Sequence, residues 1–207
     1  MRAGQKLIAS DGKEVLLFPL EYMNISQDEG GSTSHAGTYN IDFLGWGANG
    51  RVYNCPYYAP CKCVLVYQSL AGYYNIWNSL NEVHTPSGLQ RVSFMVVHDN
   101  NVPFSVGHVL NQGELMGHTG TGGNVGDHLH LNIASGNYAG QEQVPPDNEW
   151  QLINSEHIYN MMYVNDTVII NGENHNWMTY TGPILQTSNK GFNFVLYGYY
   201  AKKKRKW

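Results

Sequence analysis

The segment Gly126–Ile133, with the sequence GDHLHLNI, carries two histidines two positions apart within an alternation of polar and apolar residues. Successive side chains of a strand point to opposite faces of the sheet. His128 and His130 would therefore share one face, while Leu129 and Leu131 point to the other. Two neighbouring imidazoles indicate a metal site, a proton-transfer site or both. The alternative is a surface strand that happens to carry two histidines.

The rest of the chain has the composition of a mainly β protein. It is 14% charged and 13% aromatic, with 23 glycines and 15 tyrosines among 207 residues. Short apolar-polar alternations bounded by Gly, Asn and Pro recur, as is typical of short strands joined by turns. We predict a hairpin that turns at Asp11-Gly12 and a glycine-dense loop over residues 110–126. Further strands are expected at residues 39–43, 64–67, 92–97 and 128–133.

The composition shifts near Pro145-Pro146-Asp147. We therefore divide the chain into a core, residues 1–147, and a C-terminal extension, residues 148–207, whose length of about 60 residues favours an appendage over an independent domain. A separate binding module and extra strands on the same core remain alternatives. The extension is expected to contain a short helix within residues 150–163, a hairpin pairing 168–170 with 177–180, and a strand at 192–200.

The net charge of −4 is unevenly distributed, because five basic residues at positions 202–206 leave −9 on residues 1–201. We interpret this basic end as a solvated terminus; attachment to an anionic polymer or surface is the alternative. No nucleic-acid partner is expected. Residues 1–20 lack the apolar run of a signal peptide, and no segment approaches the roughly 20 apolar residues of a membrane span.

The three cysteines, Cys55, Cys61 and Cys63, lie within nine residues. A zinc knuckle needs a fourth ligand and C-x-x-C spacing, which are absent here. We expect buried small side chains, with one candidate disulfide from Cys55 to Cys61 or Cys63.

Six of the nine histidines lie between His84 and His130. Together with His130, His35 in a Gly/Ser-rich loop and Asp42 in a predicted strand complete a set of two histidines and one aspartate. A catalytic zinc site has three protein ligands and leaves a fourth position to water or substrate. Taken singly, His35 is an ordinary loop histidine and Asp42 a turn residue. His157 and His175 are expected at the surface.

Four segments resemble the lysostaphin-type zinc endopeptidases that cut bacterial peptidoglycan, and they occur in that family's order between about residues 15 and 135. Ser34–Phe43 resembles the motif with a histidine and a downstream aspartate. Tyr58-Ala59-Pro60 resembles a core-strand motif, and Val97-His98 occupies the place of a central active-site histidine. The fourth segment is the glycine-rich run over residues 112–120 that leads into the H-x-H of residues 128–130.

This resemblance implies an antiparallel β-sheet core that binds Zn²⁺ through His35, Asp42 and His130. It also implies that His128 and His98 are catalytic, as general base and as stabiliser of the tetrahedral intermediate. The implied activity is hydrolysis of the peptide cross-links of peptidoglycan. The chain departs from the family pattern in the seven-residue spacing of the first His and Asp, in the residues before His98, and at Asn132, where many members have Glu.

The absence of a signal peptide, the small extension and the basic end favour a bacteriophage enzyme. It would be either a lysis enzyme released through a holin or a tail protein that perforates the wall. The expected location is the virion tail, or the host cytoplasm before release to the wall. The expected partners are peptidoglycan peptides and other tail proteins. One alternative is a catalytically inactive wall-binding or tail structural module on the same fold. Another is a β-rich carbohydrate-binding protein whose histidines are incidental.

Overall fold

The structure is a computed structural model that describes residues 1–185, and it confirms the mainly β prediction. The predicted strand at 192–200 and the basic residues 202–206 lie outside the described residues. In chain order, the strands and the one helix of the described part are β1 (Tyr22–Gln27), β2 (Ile41–Phe43), β3 (Trp46–Gly47), β4 (Gly50–Arg51), β5 (Pro56–Tyr58), β6 (Cys63–Ser69), β7 (Tyr74–Ser79), β8 (Val83–Thr85), β9 (Gly88–Gln90), β10 (Val92–Val97), β11 (Val109–Leu110), β12 (Leu115–His118), β13 (Leu129–Ser135), β14 (Gln141–Val144), β15 (Glu149–Leu152), α1 (Ile158–Met161) and β16 (Val168–Asn171).

Eight of these strands form one sheet in the order β11-β6-β7-β10-β13-β2-β1-β16. The strands from β11 to β1 pair antiparallel, as predicted, whereas β16 runs parallel to β1 at the edge. The sheet is therefore mixed rather than purely antiparallel. The remaining strands form four two-stranded hairpins or ladders around it.

The main hydrophobic core lies against one face of this sheet. Leu129, Leu131 and Ile133 of β13 are fully buried in it, together with Ile41 and Phe43 of β2. The alternate residues of both strands point to the opposite face, as the period of two requires. The predicted alternation is confirmed. It places the side chains of His130 and Asp42 on the face of the sheet opposite the main core, where they are paired with each other.

The structure corrects two predictions for residues 150–180. The helix is a single turn, α1, because Asn154 adopts a left-handed backbone conformation (φ 65°) and residues 149–152 pair with β14 as a strand. The expected hairpin of residues 168–170 with 177–180 does not form. Strand β16 pairs with β1 instead, and the indole of Trp177 packs against the core rings of Phe18 and Phe43.

Residues on both sides of position 147 contribute to one core. Ile158, Met161 and Met162 are buried in the same cluster as the strands of the sheet. The division into residues 1–147 and 148–207 stays a prediction. Within the described part of the chain, no helix has the length and apolar character needed to cross a membrane.

The three cysteines are buried, as predicted, but they are free thiols, so the candidate disulfide is wrong. All three side chains belong to the main hydrophobic cluster.

Candidate metal centre

Sheet register brings the five predicted site residues together. Strands β13 and β2 pair His130 directly with Asp42, and strands β10 and β13 pair Val97 with His130. His98 and His128 flank these pairs at the end of β10 and just before β13. His35 reaches the site from the loop between β1 and β2. The described residues contain two groups that could each hold a metal ion, because the ligand atoms within each group all lie within 4.8 Å of one another. One group is His35, Asp42 and His130. The other is His98, His128 and His130, so His130 belongs to both.

The side chain of His35 is fully buried, and its tautomer is determined by a backbone contact. Its Nδ1 lies 3.2 Å from the carbonyl oxygen of Asp28. A carbonyl can only accept a hydrogen bond, so Nδ1 is the protonated donor in this contact and Nε2 is the nitrogen left to bind a metal. That Nε2 is buried and has no hydrogen-bond partner among the described residues. The loop therefore presents Nε2 of His35 to the site.

The carboxylate of Asp42 lies at the centre of the cluster. Its Oδ1 is 3.5 Å from His35 Nε2, 3.0 Å from His130 Nδ1 and 3.3 Å from His128 Nε2. Burial acts to raise the pKa of Asp42, but the close contacts with the neighbouring imidazoles, that of His128 first, outweigh it and hold the pKa well below its usual range. The side chain is therefore a carboxylate, the form that binds a cation.

These distances fit a metal. Ligand atoms about 2.0–2.1 Å from a tetrahedral zinc ion lie roughly 3.3 Å from one another. The separations of 3.0 Å and 3.5 Å that join Asp42 to His130 and His35 bracket that value. The ligand atom of His130 in this set is Nδ1, which is the ring nitrogen nearest to Asp42 Oδ1. Buried polar atoms are normally paired, so a cation held by His35, Asp42 and His130 would supply the partner that His35 Nε2 lacks among the described residues.

The rings of His98 and His128 lie side by side next to this donor set, with centroids 4.4 Å apart. The Nδ1 of His98 donates to the carbonyl of Gly122 at 2.7 Å, and the Nδ1 of His128 donates to the carbonyl of Gly126 at 2.6 Å. Both rings are thereby oriented with Nε2 as the remaining nitrogen.

The two imidazoles differ in proton affinity. Burial, followed by the charges of the neighbouring histidines, lowers the pKa of His98 to about 4. Burial also acts to lower the pKa of His128, but the hydrogen bond with Asp42 outweighs it and leaves that pKa raised. Near neutral pH, His98 is therefore uncharged, while His128 is the better proton acceptor.

The glycines before His128 permit close packing around His98. A Cβ on Gly120 would lie 2.1 Å from the carbonyl oxygen of His98, and one on Gly122 would lie 2.5 Å from the ring of Tyr73. The backbone carbonyl of Tyr73 in turn accepts a hydrogen bond from the backbone N–H of His98, which has a left-handed backbone conformation (φ 77°). The predicted loop over residues 110–126, which includes the glycine-rich part of the family motif, is wrong in part, because residues 115–118 form strand β12. Gly120 and Gly122 are needed where the chain approaches the turn that carries His98.

Asn132 lies on the same face of β13 as His130, but its side chain makes structural hydrogen bonds and does not belong to the cluster of candidate ligands. Its Oδ1 accepts hydrogen bonds from the backbone N–H of Leu152 and from the hydroxyl of Ser155, both at 2.9 Å. The residue that departs from the family pattern thus attaches the chain of β15 to the sheet.

Sequence analysis missed a group of residues behind His35. His157 and His175, expected at the surface, are only partly exposed and pair with Glu29 and Asp28 of the loop that carries His35. No spacing in the sequence indicates these pairs, because about 130 residues or more separate the partners.

No family model matches the chain. Over 174 residues the chain is 42% identical to "Morphogenesis protein 1" of Bacillus phage B103, an alignment that covers 82% of this chain and 46% of that protein. The chain thus spans about half the length of this curated relative.

The solved structures that the chain resembles include several peptidases. A zinc-containing peptidase from Vibrio cholerae matches 72% of this chain and 44% of its own, with 14% identity and a TM-score of 0.43. The catalytic domain of lysostaphin from Staphylococcus simulans matches 59% of this chain and 80% of its own, with 16% identity and a TM-score of 0.35. The chain is therefore similar in sequence to a phage morphogenesis protein, and the solved structures that it resembles include the catalytic domain of lysostaphin.

Proposed function

We propose that this protein is a zinc-dependent endopeptidase that hydrolyses the peptide cross-links of bacterial peptidoglycan. One observation carries the proposal. A buried carboxylate, Asp42, lies within 3.5 Å of ring nitrogens of both His35 and His130, and two further imidazoles border the same cluster. A purely structural cluster would not be expected to leave the buried Nε2 of His35 without a hydrogen-bond partner among the described residues.

In this proposal His35, Asp42 and His130 hold the zinc ion. Such an ion supplies Lewis-acid activation of the scissile carbonyl and of the attacking water. The chain prepares the ligands in advance: the carbonyl of Asp28 fixes the tautomer of His35, and the pairing of β13 with β2 fixes Asp42 beside His130.

We assign proton transfer to His128. Its Nδ1 is fixed by the carbonyl of Gly126, and its raised pKa suits a group that takes up a proton near neutral pH. We assign stabilisation of the tetrahedral intermediate to His98. Its ring lies against that of His128, and the carbonyl of Gly122 leaves its Nε2 as the free nitrogen.

We also propose that the protein acts as part of a phage virion, at the tail, and opens the wall during infection. The similarity to a phage morphogenesis protein over 82% of this chain supports this role. Wall peptides are then its substrates, and other tail proteins are its partners. Release from the host cytoplasm as a lysis enzyme is the competing route.

The test combines metal analysis with wall digestion. The purified protein should contain, or take up, one zinc ion per chain, and it should release new amino termini from purified walls of at least one cross-link type. Chelation should abolish the release, and added zinc should restore it. Stoichiometric zinc without cleavage of any wall type would favour an inactive binding or tail module. Failure to bind zinc would overturn the proposal.

A further inference from the structure

The loop that carries His35 is held at its start by residues from far along the chain. The carboxylate of Asp28 accepts hydrogen bonds from His175 Nε2 at 2.7 and 2.8 Å. The carboxylate of Glu29 pairs with His157 Nδ1 at 2.8 Å and accepts from the hydroxyl of Tyr159 at 3.0 Å. Two adjacent acidic residues thus have three partners, all from residues 157–175.

Asp28 connects this cluster to the metal centre. Its side chain pairs with His175, while its main-chain carbonyl accepts the Nδ1 proton of His35. The contact that sets the tautomer and direction of His35 therefore belongs to a residue whose own position is fixed by His175. Displacing Asp28 would release the only hydrogen bond that the ring of His35 makes to the described residues.

The three partners are themselves fastened to the core. The ring of Tyr159 stacks on that of His175 with centroids 4.2 Å apart, and it meets Trp177 edge-on at 6.0 Å. Trp177 donates from Nε1 to the carbonyl of Gly172 at 3.0 Å and packs against Phe43, the neighbour of Asp42. The same aromatic stack therefore touches the loop of one ligand and the strand of another.

We propose that His157, Tyr159 and His175 are positioning residues for the metal ligand His35. They act through Asp28 and Glu29 and not by touching the metal or the substrate. This inference rests on the proposed zinc site. Groups that orient metal ligands from behind typically change metal affinity by about 10–100-fold when they are removed. We expect an effect of that size here. The imidazole of His35 would still be present as a ligand, but the hydrogen bond to Asp28 that orients its ring would be weakened.

The experiment measures zinc affinity by competition with a chromophoric chelator. The variants are His175→Ala, the double variant H157A/H175A, and His175→Gln, whose amide N–H can still reach the carboxylate of Asp28. The matched control is His84→Ala, since His84 is also a partly exposed histidine that pairs with a carboxylate, that of Asp11 at 2.9 Å, and it does not belong to the site. Thermal unfolding of the zinc-free proteins is followed in parallel.

The double variant should bind zinc at least tenfold more weakly than the parent, His175→Gln should recover most of the loss, and the control should match the parent. Parent-like affinity in the double variant would overturn the inference and leave the zinc site standing. If the double variant is unfolded without zinc, the zinc affinities of the single variants provide the test. His175→Ala should then bind zinc more weakly than the parent and His175→Gln should recover most of the loss, whereas parent-like affinity in His175→Ala would overturn the inference. A parent that binds no zinc would overturn both this inference and the proposed function.

Discussion

Replacing Gly120 by alanine is predicted to disturb the catalytic side of the site without touching a metal ligand. The new Cβ would lie 2.1 Å from the backbone carbonyl oxygen of His98 and 3.0 Å from the backbone nitrogen of Asn100. Gly120 also exchanges two backbone hydrogen bonds with His128, each at 3.1 Å. The methyl group therefore cannot be accommodated by a side-chain rotation, and the main chain must move at both histidines.

The size of the effect follows from this geometry. An ordinary contact begins at 3.4 Å, so the two chain segments must separate by more than 1 Å. Overpacking of this kind costs about 1–3 kcal/mol, which lowers the melting temperature of a chain of this length by roughly 2–12 °C. A displacement of about 1 Å at a reacting group can cost on the order of 10²-fold in rate.

Gly126→Ala is the matched control from the same glycine-rich segment. A Cβ at Gly126 meets nothing within 4 Å, and the residue needs no left-handed backbone conformation. The assays are thermal unfolding, zinc affinity and the release of amino termini from walls. Gly120→Ala should lose stability and activity but keep zinc within a few-fold, and Gly126→Ala should resemble the parent. Equal melting temperatures and equal activities for the two variants would refute the close-packing argument.

Three further predictions concern other parts of the molecule. His128→Ala should retain zinc and lose about 10²–10⁴ in turnover, whereas His130→Ala should lose both; stoichiometric zinc in the second variant, measured by metal analysis, would contradict the ligand assignment. Asn132→Ala should destabilise the protein by about 1–3 kcal/mol in urea unfolding, because it leaves the buried N–H of Leu152 without its acceptor; an unchanged midpoint would count against that anchoring role. Burial raises the pKa of the Cys61 and Cys63 thiols well above its usual value, so the thiolate is scarce at pH 8 and Ellman's reagent should react only after unfolding; fast reaction of the native protein would be inconsistent with their burial.

Local pattern was sufficient to predict the strand at the centre of the site. The alternation from Leu129 to Ile133 separates core residues from site residues because the sheet has one apolar face. The pairing of His130 with Asp42 spans 88 positions and depends on the order of strands in the sheet. The apolar periodicity of a single segment does not reveal which strands are neighbours in the sheet. The pairing of His130 with Asp42 was therefore predicted only from the resemblance to a known family.

The failures of sequence reasoning have equally definite causes. Residues 150–163 have helical apolar spacing, but the left-handed turn at Asn154 and pairing with β14 divide the segment. Burial of the Trp177 indole against Phe43 is a tertiary contact, and it takes the place of the hairpin expected there. The contacts of His157 and His175 with the His35 loop join residues about 130 or more positions apart, and they depend on the same tertiary arrangement.

Mass spectrometry of the muropeptides released from purified walls tests the central claim most directly. The zinc-loaded protein should convert cross-linked muropeptides into products in which one water has been added across a cross-link peptide bond and the glycan is intact. The His128→Ala protein, loaded with the same amount of zinc, should give almost none of these products. Products with cleaved glycan bonds, or no products from any wall type at full zinc occupancy, would contradict the account.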